Sequence, residues 1–171
     1  MNNIERIEKI KSLSKPFPKF IEEILSLYEV KVPFFFVSQG IVEQFTDDDA
    51  VGTLVREPPS IGEPQCVLLS YDVLHESEEK NKNLILLKEV LHEIGHLKLL
   101  KETDKFKKET VLEFSKLDPA SLFGIVRLGM ENRVDNWVKK EWRKIRPFTN
   151  TKIDGWKKGV RLKDVEYTLH L

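Results

Sequence analysis

Leu84-Ile85-Leu86-Leu87-Lys88-Glu89-Val90-Leu91, then His92-Glu93-Ile94-Gly95-His96, then Leu97-Lys98-Leu99-Leu100: this run is apolar on most sides, as for a helix buried in the middle of a domain. On a helix, residues four apart stand one above the other, so His92 and His96 can offer two imidazole nitrogens to one ion. Glu93 is turned about 100° from His92, which sets its carboxylate beside that ion instead of on it. A carboxylate so placed takes a proton from metal-activated water. Two histidines and a glutamate are costly in a buried helix without partners, and a metal ion supplies the partner. Gly95 adds to the case, since mid-helix glycine costs about 1 kcal/mol against alanine and implies that another backbone comes close there. The spacing encodes zinc-assisted hydrolysis, most often of a peptide bond.

The bulk composition narrows the alternatives. A chain of 171 residues suits one globular domain, and Lys+Arg 28 against Asp+Glu 28 leaves no net charge to draw it to nucleic acid or anionic membrane. The single cysteine, Cys66, forbids an internal disulfide and reads as a small buried strand residue in a reducing compartment. The charged N-terminus lacks the apolar core of a signal peptide, and no apolar run reaches membrane-spanning length, so the expectation is a cytoplasmic protein without membrane partners.

Outward from the histidine helix, two helices precede a run of three strands and further helical pattern follows, which predicts an α+β domain. Ile4, Ile7, Ile10 and Leu13 mark a first amphipathic helix; Phe20, Ile21, Ile24, Leu25 and Tyr28 mark a second. Val32–Val37, Ala50–Val55 and Cys66–Tyr71 read as strands, with Asp47, Asp48 and Asp49 in a solvated turn. The charged run 102–117 reads as a solvated helix face or loop. Asp118-Pro119 resembles an N-cap followed by proline at the first helical position, and the apolar pattern beyond it runs to Ile145, where Pro147 is expected to end the helix. Gly124 and Gly129 are points at which that helix would kink or split. One domain thus spans 1–171: N-terminal helices over 1–30, a catalytic core over 31–147 and a C-terminal tail over 148–171.

A catalytic zinc needs a third protein ligand and an open position. The extended HExxHxxGxxH pattern is absent, because Leu99 stands at the glycine and Glu102 at the histidine. His75 and His170 are lone histidines. Glu131 in Glu131-Asn132-Arg133-Val134-Asp135 is the better candidate, with Asp135 one turn on and on the same face. Glu131 would reach the metal while Asp135 accepts the second N–H of a ligating histidine.

The strand, the HEIGH helix and the later helix carrying ExxxD together resemble the gluzincin clan of zinc metallopeptidases, and the small size is similar to minigluzincins and to the metallopeptidase module of ImmA/IrrE regulators. The resemblance runs from about residue 50 to about residue 140 and implies a zincin-like fold. In it a small twisted mixed sheet of three or four strands packs on the active-site helix and on a second long helix. It implies zinc on His92, His96 and Glu131, Glu93 as general base and Asp135 behind the ligands. It also implies a peptide or protein substrate held in a cleft rimmed by Leu68, Leu69, Ser70 and Tyr71, whose strand is expected to offer an edge for main-chain pairing. Tyr71, Tyr167, His170 and Arg127 are equal candidates for oxyanion support. Two further expectations stand beside general peptidase activity: a latent form with Tyr167–Leu171 in the cleft, and a regulatory module acting on one partner.

Overall fold

Phenylalanines, valines and leucines, which suit a pleated half-buried surface, dominate the segments that pair into the sheet. The computed structural model describes residues 3–46, 50–59, 61–72 and 82–152. Along them run α1 (Asn3–Leu13), α2 (Lys19–Leu27), β1 (Phe34–Val37), α3 (Gln39–Val42), β2 (Gly52–Glu57), β3 (Glu63–Ser70), α4 (Lys82–Lys98), α5 (Leu100–Glu113) and α6 (Pro119–Lys152). The class is α+β, with a mixed sheet in the order β1-β3-β2. β1 lies parallel to β3, with Phe35 opposite Leu68 and Val37 opposite Ser70. β2 lies antiparallel to β3, with Gly52 opposite Leu69 and a register shift between Val55 and Arg56.

The period-two alternation of the strands divides the core. Phe36, Val67 and Leu69 face α2, α4 and α6, whereas Phe35, Val37, Cys66 and Leu68 face Ile10 of α1 and Val42 of α3. Helices cover both faces of β3, which explains its unbroken apolar run. Cys66 is buried there as a free thiol, and burial pushes its pKa up to about 11. No helix among the described residues is long and apolar enough to cross a membrane.

The strand order corrects one expectation. β3 is the central strand, and Leu68, Leu69 and Ser70 are buried, with Ser70 N–H donating to Val51 O and Tyr71 N–H to Val37 O. Its main-chain groups are therefore engaged on both sides and offer no edge to a substrate. Tyr71 packs edge-on against Phe36 and beneath the Lys15 ammonium. Among the described residues the edge strand on the α5 side is β2.

The helices bring further corrections. α4 does not run on through Leu99: the chain turns at that residue and α5 restarts at Leu100, with the buried Thr103 hydroxyl donating to the carbonyls of Leu99 and Leu100. Residues 102–117 are thus mostly helix. α6 starts as anticipated, with Asp118 Oδ1 accepting the Ser121 N–H at 3.0 Å and Pro119 first in the helix. It is continuous past Gly124 and Gly129, and Gly129 leaves room for the Phe106 ring. It also passes through Pro147 to Lys152. Proline forfeits one hydrogen bond but has a helical φ, and the turn before it is held in the core by Trp142 and Ile145. Asp47–Asp49, His75 and the segment 153–171 lie outside the described residues.

Two contacts position the elements around α4. At Gly95, a Cβ would sit 2.9 Å from Val134 Cγ1 and 3.1 Å from Trp137 Cε3, so only glycine lets α6 approach this closely. The close neighbour is thus a pair of side chains from another helix, not a backbone. At the other side, Arg56 of β2 grips Asp104 of α5 through two 2.8 Å hydrogen bonds and donates to Gly62 O at 2.6 Å.

Gly95→Val is predicted to lower unfolding free energy by about 3 kcal/mol through overpacking between α4 and α6; urea denaturation checks it, and unchanged stability contradicts this packing. The Asp104 carboxyl is held below its ordinary pKa chiefly by the Arg56 hydrogen bonds. A depressed carboxylate pKa adds stability above its unfolded value, about 3.9, that is lost as pH falls through the folded value. The stability gap between the natural chain and Asp104→Asn should therefore be about 1 kcal/mol at neutral pH and close as the pH falls below about 4.

Candidate metal centre

Helix α4 carries His92 and His96 on the face turned to α6, and α6 returns Glu131 and Asp135 from its own facing side. The narrow gap at Gly95 brings the two sets together. His92 Nε2 lies 3.1 Å from His96 Nε2 and 3.0 Å from Glu131 Oε2, while His96 Nε2 lies 3.4 Å from Glu131 Oε1. One ligand atom from each of His92, His96 and Glu131 falls within 4.8 Å of the others, a group fit to hold a metal ion. Asp135 Oδ1 stands 3.4 Å from His92 Nδ1, on the far side of the ring.

Such convergence is unfavourable without a cation at its centre. With Nδ1–H directed at Asp135, neutral His92 turns a lone pair toward the carboxylate of Glu131 and toward His96. Acceptor then meets acceptor, and only a proton or a metal ion reconciles them. The electrostatics carry the same message. Burial opposes a charged His92, but hydrogen bonds to Asp135 and Glu131 outweigh it and raise its pKa to about 10. Burial likewise opposes a charged Glu131, yet the two histidines hold its carboxyl far below the usual carboxylate range. Asp135 is lowered chiefly by its hydrogen bond with His92.

Glu93 is different in kind. Only 4% of it is exposed, and its Oε2 has no hydrogen-bond partner among the described residues. Burial raises its pKa to about 7, against the lowering influence of His96 and His92. The β2 backbone passes directly over it: a Cβ on Gly52 would sit 2.6 Å from Glu93 Oε1 and 2.9 Å from Leu69 Cδ2. A buried carboxyl poised near neutrality is suited to taking up and releasing protons. Glu89, one turn earlier on α4, is raised as well, again by burial first.

The anticipated group of His92, Glu93, His96, Glu131 and Asp135 is thus together in space. Glu102 is not with it, being exposed and 3.6 Å from Arg133 Nε. Leu68, Leu69, Ser70 and Tyr71 are not among the residues around the cavity of about 310 Å³ that opens beside His96 and Glu131. That cavity is walled by Leu54 and Arg56 of β2, by α5 and by the first turns of α6, including Arg127. Tyr167 and His170 lie outside the described residues. Sequence reasoning passed over Gly52, Asp104 and Lys107; nothing local distinguishes a glycine at a strand start or charges in a charged helix. Compared with known proteins, the chain matches no family model, no curated protein and no solved structure.

Because Asp135 and Glu131 raise the pKa of His92 against the opposing effect of burial, metal uptake must expel a proton from it. Divalent-metal affinity is predicted to weaken roughly tenfold per pH unit on acidification through neutrality, with about one proton released per ion bound. Titration calorimetry in buffers of different ionisation heat measures both; proton-neutral binding contradicts the assignment of His92.

Proposed function

We propose that this chain is a zinc-dependent metallopeptidase whose ion is held by His92, His96 and Glu131. The observation carrying the proposal is the spacing of the three donors together with the buried, unpartnered Glu93 oxygen beside them. A tetrahedral zinc with bonds of about 2.0–2.1 Å sets its ligand atoms roughly 3.3–3.4 Å apart. His92 Nε2 lies 3.1 Å from His96 Nε2 and 3.0 Å from Glu131 Oε2, close to that requirement, and the second Glu131 oxygen, Oε1, is 3.4 Å from His96 Nε2. Two imidazoles and one carboxylate also match the ligand set that zinc hydrolases use while keeping a fourth position open.

Bound there, zinc would lower the pKa of water toward about 7 and polarise the carbonyl of the scissile bond. The chain's own residues do the rest. Glu93, poised near neutrality, accepts the proton of the attacking water and returns it to the departing amine. Asp135 fixes the tautomer of His92, so that Nε2 faces inward as a donor of electrons. Gly52, having no Cβ, lets the β2 backbone pass close to Glu93 Oε1.

Peptide placement follows from the strand order. Among the described residues β2 is hydrogen-bonded to β3 on one side, and its Leu54 and Arg56 line the cavity beside His96 and Glu131. An extended peptide added to that edge would use main-chain bonds for hold and the adjoining cavity for choice. The role first expected of Leu68–Tyr71 passes to Gly52–Glu57.

Glu93→Gln is predicted to keep zinc at full stoichiometry and to lose at least about 10²-fold in peptide hydrolysis, the usual scale of a general base. Metal analysis beside a peptidase assay checks both parts. Undiminished turnover by the variant removes Glu93 from the chemistry, and a metal-free natural chain after zinc loading removes the proposal itself.

A further inference from the structure

A second hollow adjoins the cavity beside His96 and Glu131. It holds about 450 Å³, and its apolar walls are Ile61 from the β2–β3 turn and Val111 and Leu112 from α5. Asp104 and Lys107 line both spaces, so the two are continuous. Ile61 is 72% exposed and Leu112 77% exposed among the described residues. Scattered singly such side chains are ordinary, but side by side along one groove they mark a surface that meets an apolar partner. Charge does not define the hollow: Asp104 is gripped by Arg56, and Lys107 and Lys108 lie within the field of that same carboxylate.

The two spaces follow β2 and α5 in the same sense. The cavity takes Leu54 and Arg56 from β2 with Leu100 and Thr103 from α5, whereas the hollow takes Ile61, past the end of β2, with Val111 and Leu112 further along α5. The α5 residues of the cavity centre near position 103 and those of the hollow near 108, which is about five residues or roughly 7 Å along the helix axis. An extended chain rises about 3.3 Å per residue and turns alternate side chains to opposite faces, so neighbours on one face also stand roughly 7 Å apart. Resting on the peptidase reading above, we infer that the chain selects an extended peptide with two apolar side chains two residues apart, the first in the cavity beside the scissile bond and the second in the hollow of Ile61, Val111 and Leu112. A strand added to the β2 edge would turn every second side chain toward α5, as Leu54 and Arg56 themselves are turned. Van der Waals contact with the three apolar walls holds the second side chain. A charged or amide side chain there would lose hydration without gaining a partner, which makes the hollow selective.

The test uses the full chain loaded with zinc and quenched peptides that carry one leucine beside the cleavage point. A second leucine is placed one, two or three residues from the first, on the side away from the bond, and alanine replaces it in the reference peptide. The expected result is that the pair two residues apart is cleaved about tenfold or more faster, in kcat/KM, than the reference and than the other spacings. That advantage should shrink below about twofold in Leu112→Asp and in Ile61→Asp, two exposed positions whose variants are checked for unchanged helix content by circular dichroism. An advantage that ignores spacing, or that persists in both variants, overturns the inference while leaving the peptidase reading intact. If no peptide is cleaved, the peptidase reading fails separately. Fluorescence anisotropy with labelled forms of the same peptides then decides the hollow: tighter binding of the spaced pair that is lost in Leu112→Asp upholds it, and equal binding of all spacings overturns it. Sedimentation of the chain alone tests the other occupant, since a dimer that Leu112→Asp dissolves assigns the hollow to a second copy and overturns the inference.

Discussion

Everything around the candidate centre depends on how closely α6 can approach α4. Gly95 has no Cβ to hold the helices apart, and Val134 and Trp137 occupy the space where one would be. That approach forces two imidazoles and a carboxylate within about hydrogen-bonding range of one another while leaving them short of protons to share. The packing of apolar residues thus creates an electrostatic demand. A positive charge must sit among His92, His96 and Glu131, and the strong upward shift of His92 is the sign of that demand in the metal-free chain. A divalent ion meets it better than a proton, because it satisfies all three groups at once.

A second constraint works against stability. Glu93 is buried with an oxygen that finds no partner among the described residues, and leaving such a group unpaired costs about 1–3 kcal/mol. The surrounding structure holds it there: Ile94, Leu91 and Val90 anchor α4 in the core, and Gly52 allows β2 to lie across it. The Arg56–Asp104 ion pair ties that same strand to α5, so the cover over Glu93 and one wall of the cavity are set by a single link.

How much of this is legible in the chain follows the range of the interactions. The histidine helix, the N-cap at Asp118 and the α+β class rest on local spacing and were read correctly from it. The pairing of Glu131 and Asp135 with the histidines rests on a chemical requirement, the third ligand, which made a distant acidic pair conspicuous. Strand order does not leave such a trace. Leu68 and Leu69 are apolar whether their strand is central or lies at an edge, so periodicity does not reveal the place of β3 between β1 and β2, and the expected edge at Leu68–Tyr71 is a central strand instead. Pro147 was read by a local rule that tertiary anchoring at Trp142 and Ile145 overrides. The short helix α3 was likewise missed, being too brief for a period to show. Gly52 could have been noticed only by asking what covers Glu93, a question that the fold alone answers.

X-ray absorption at the zinc edge of the reconstituted full chain tests the central claim most directly, since it counts the atoms around the ion. The account predicts a four-coordinate centre with two imidazole nitrogens and oxygen from one carboxylate and one water, at about 2.0–2.1 Å. A spectrum without imidazole scattering, or one from a six-coordinate ion surrounded by oxygen alone, would contradict it.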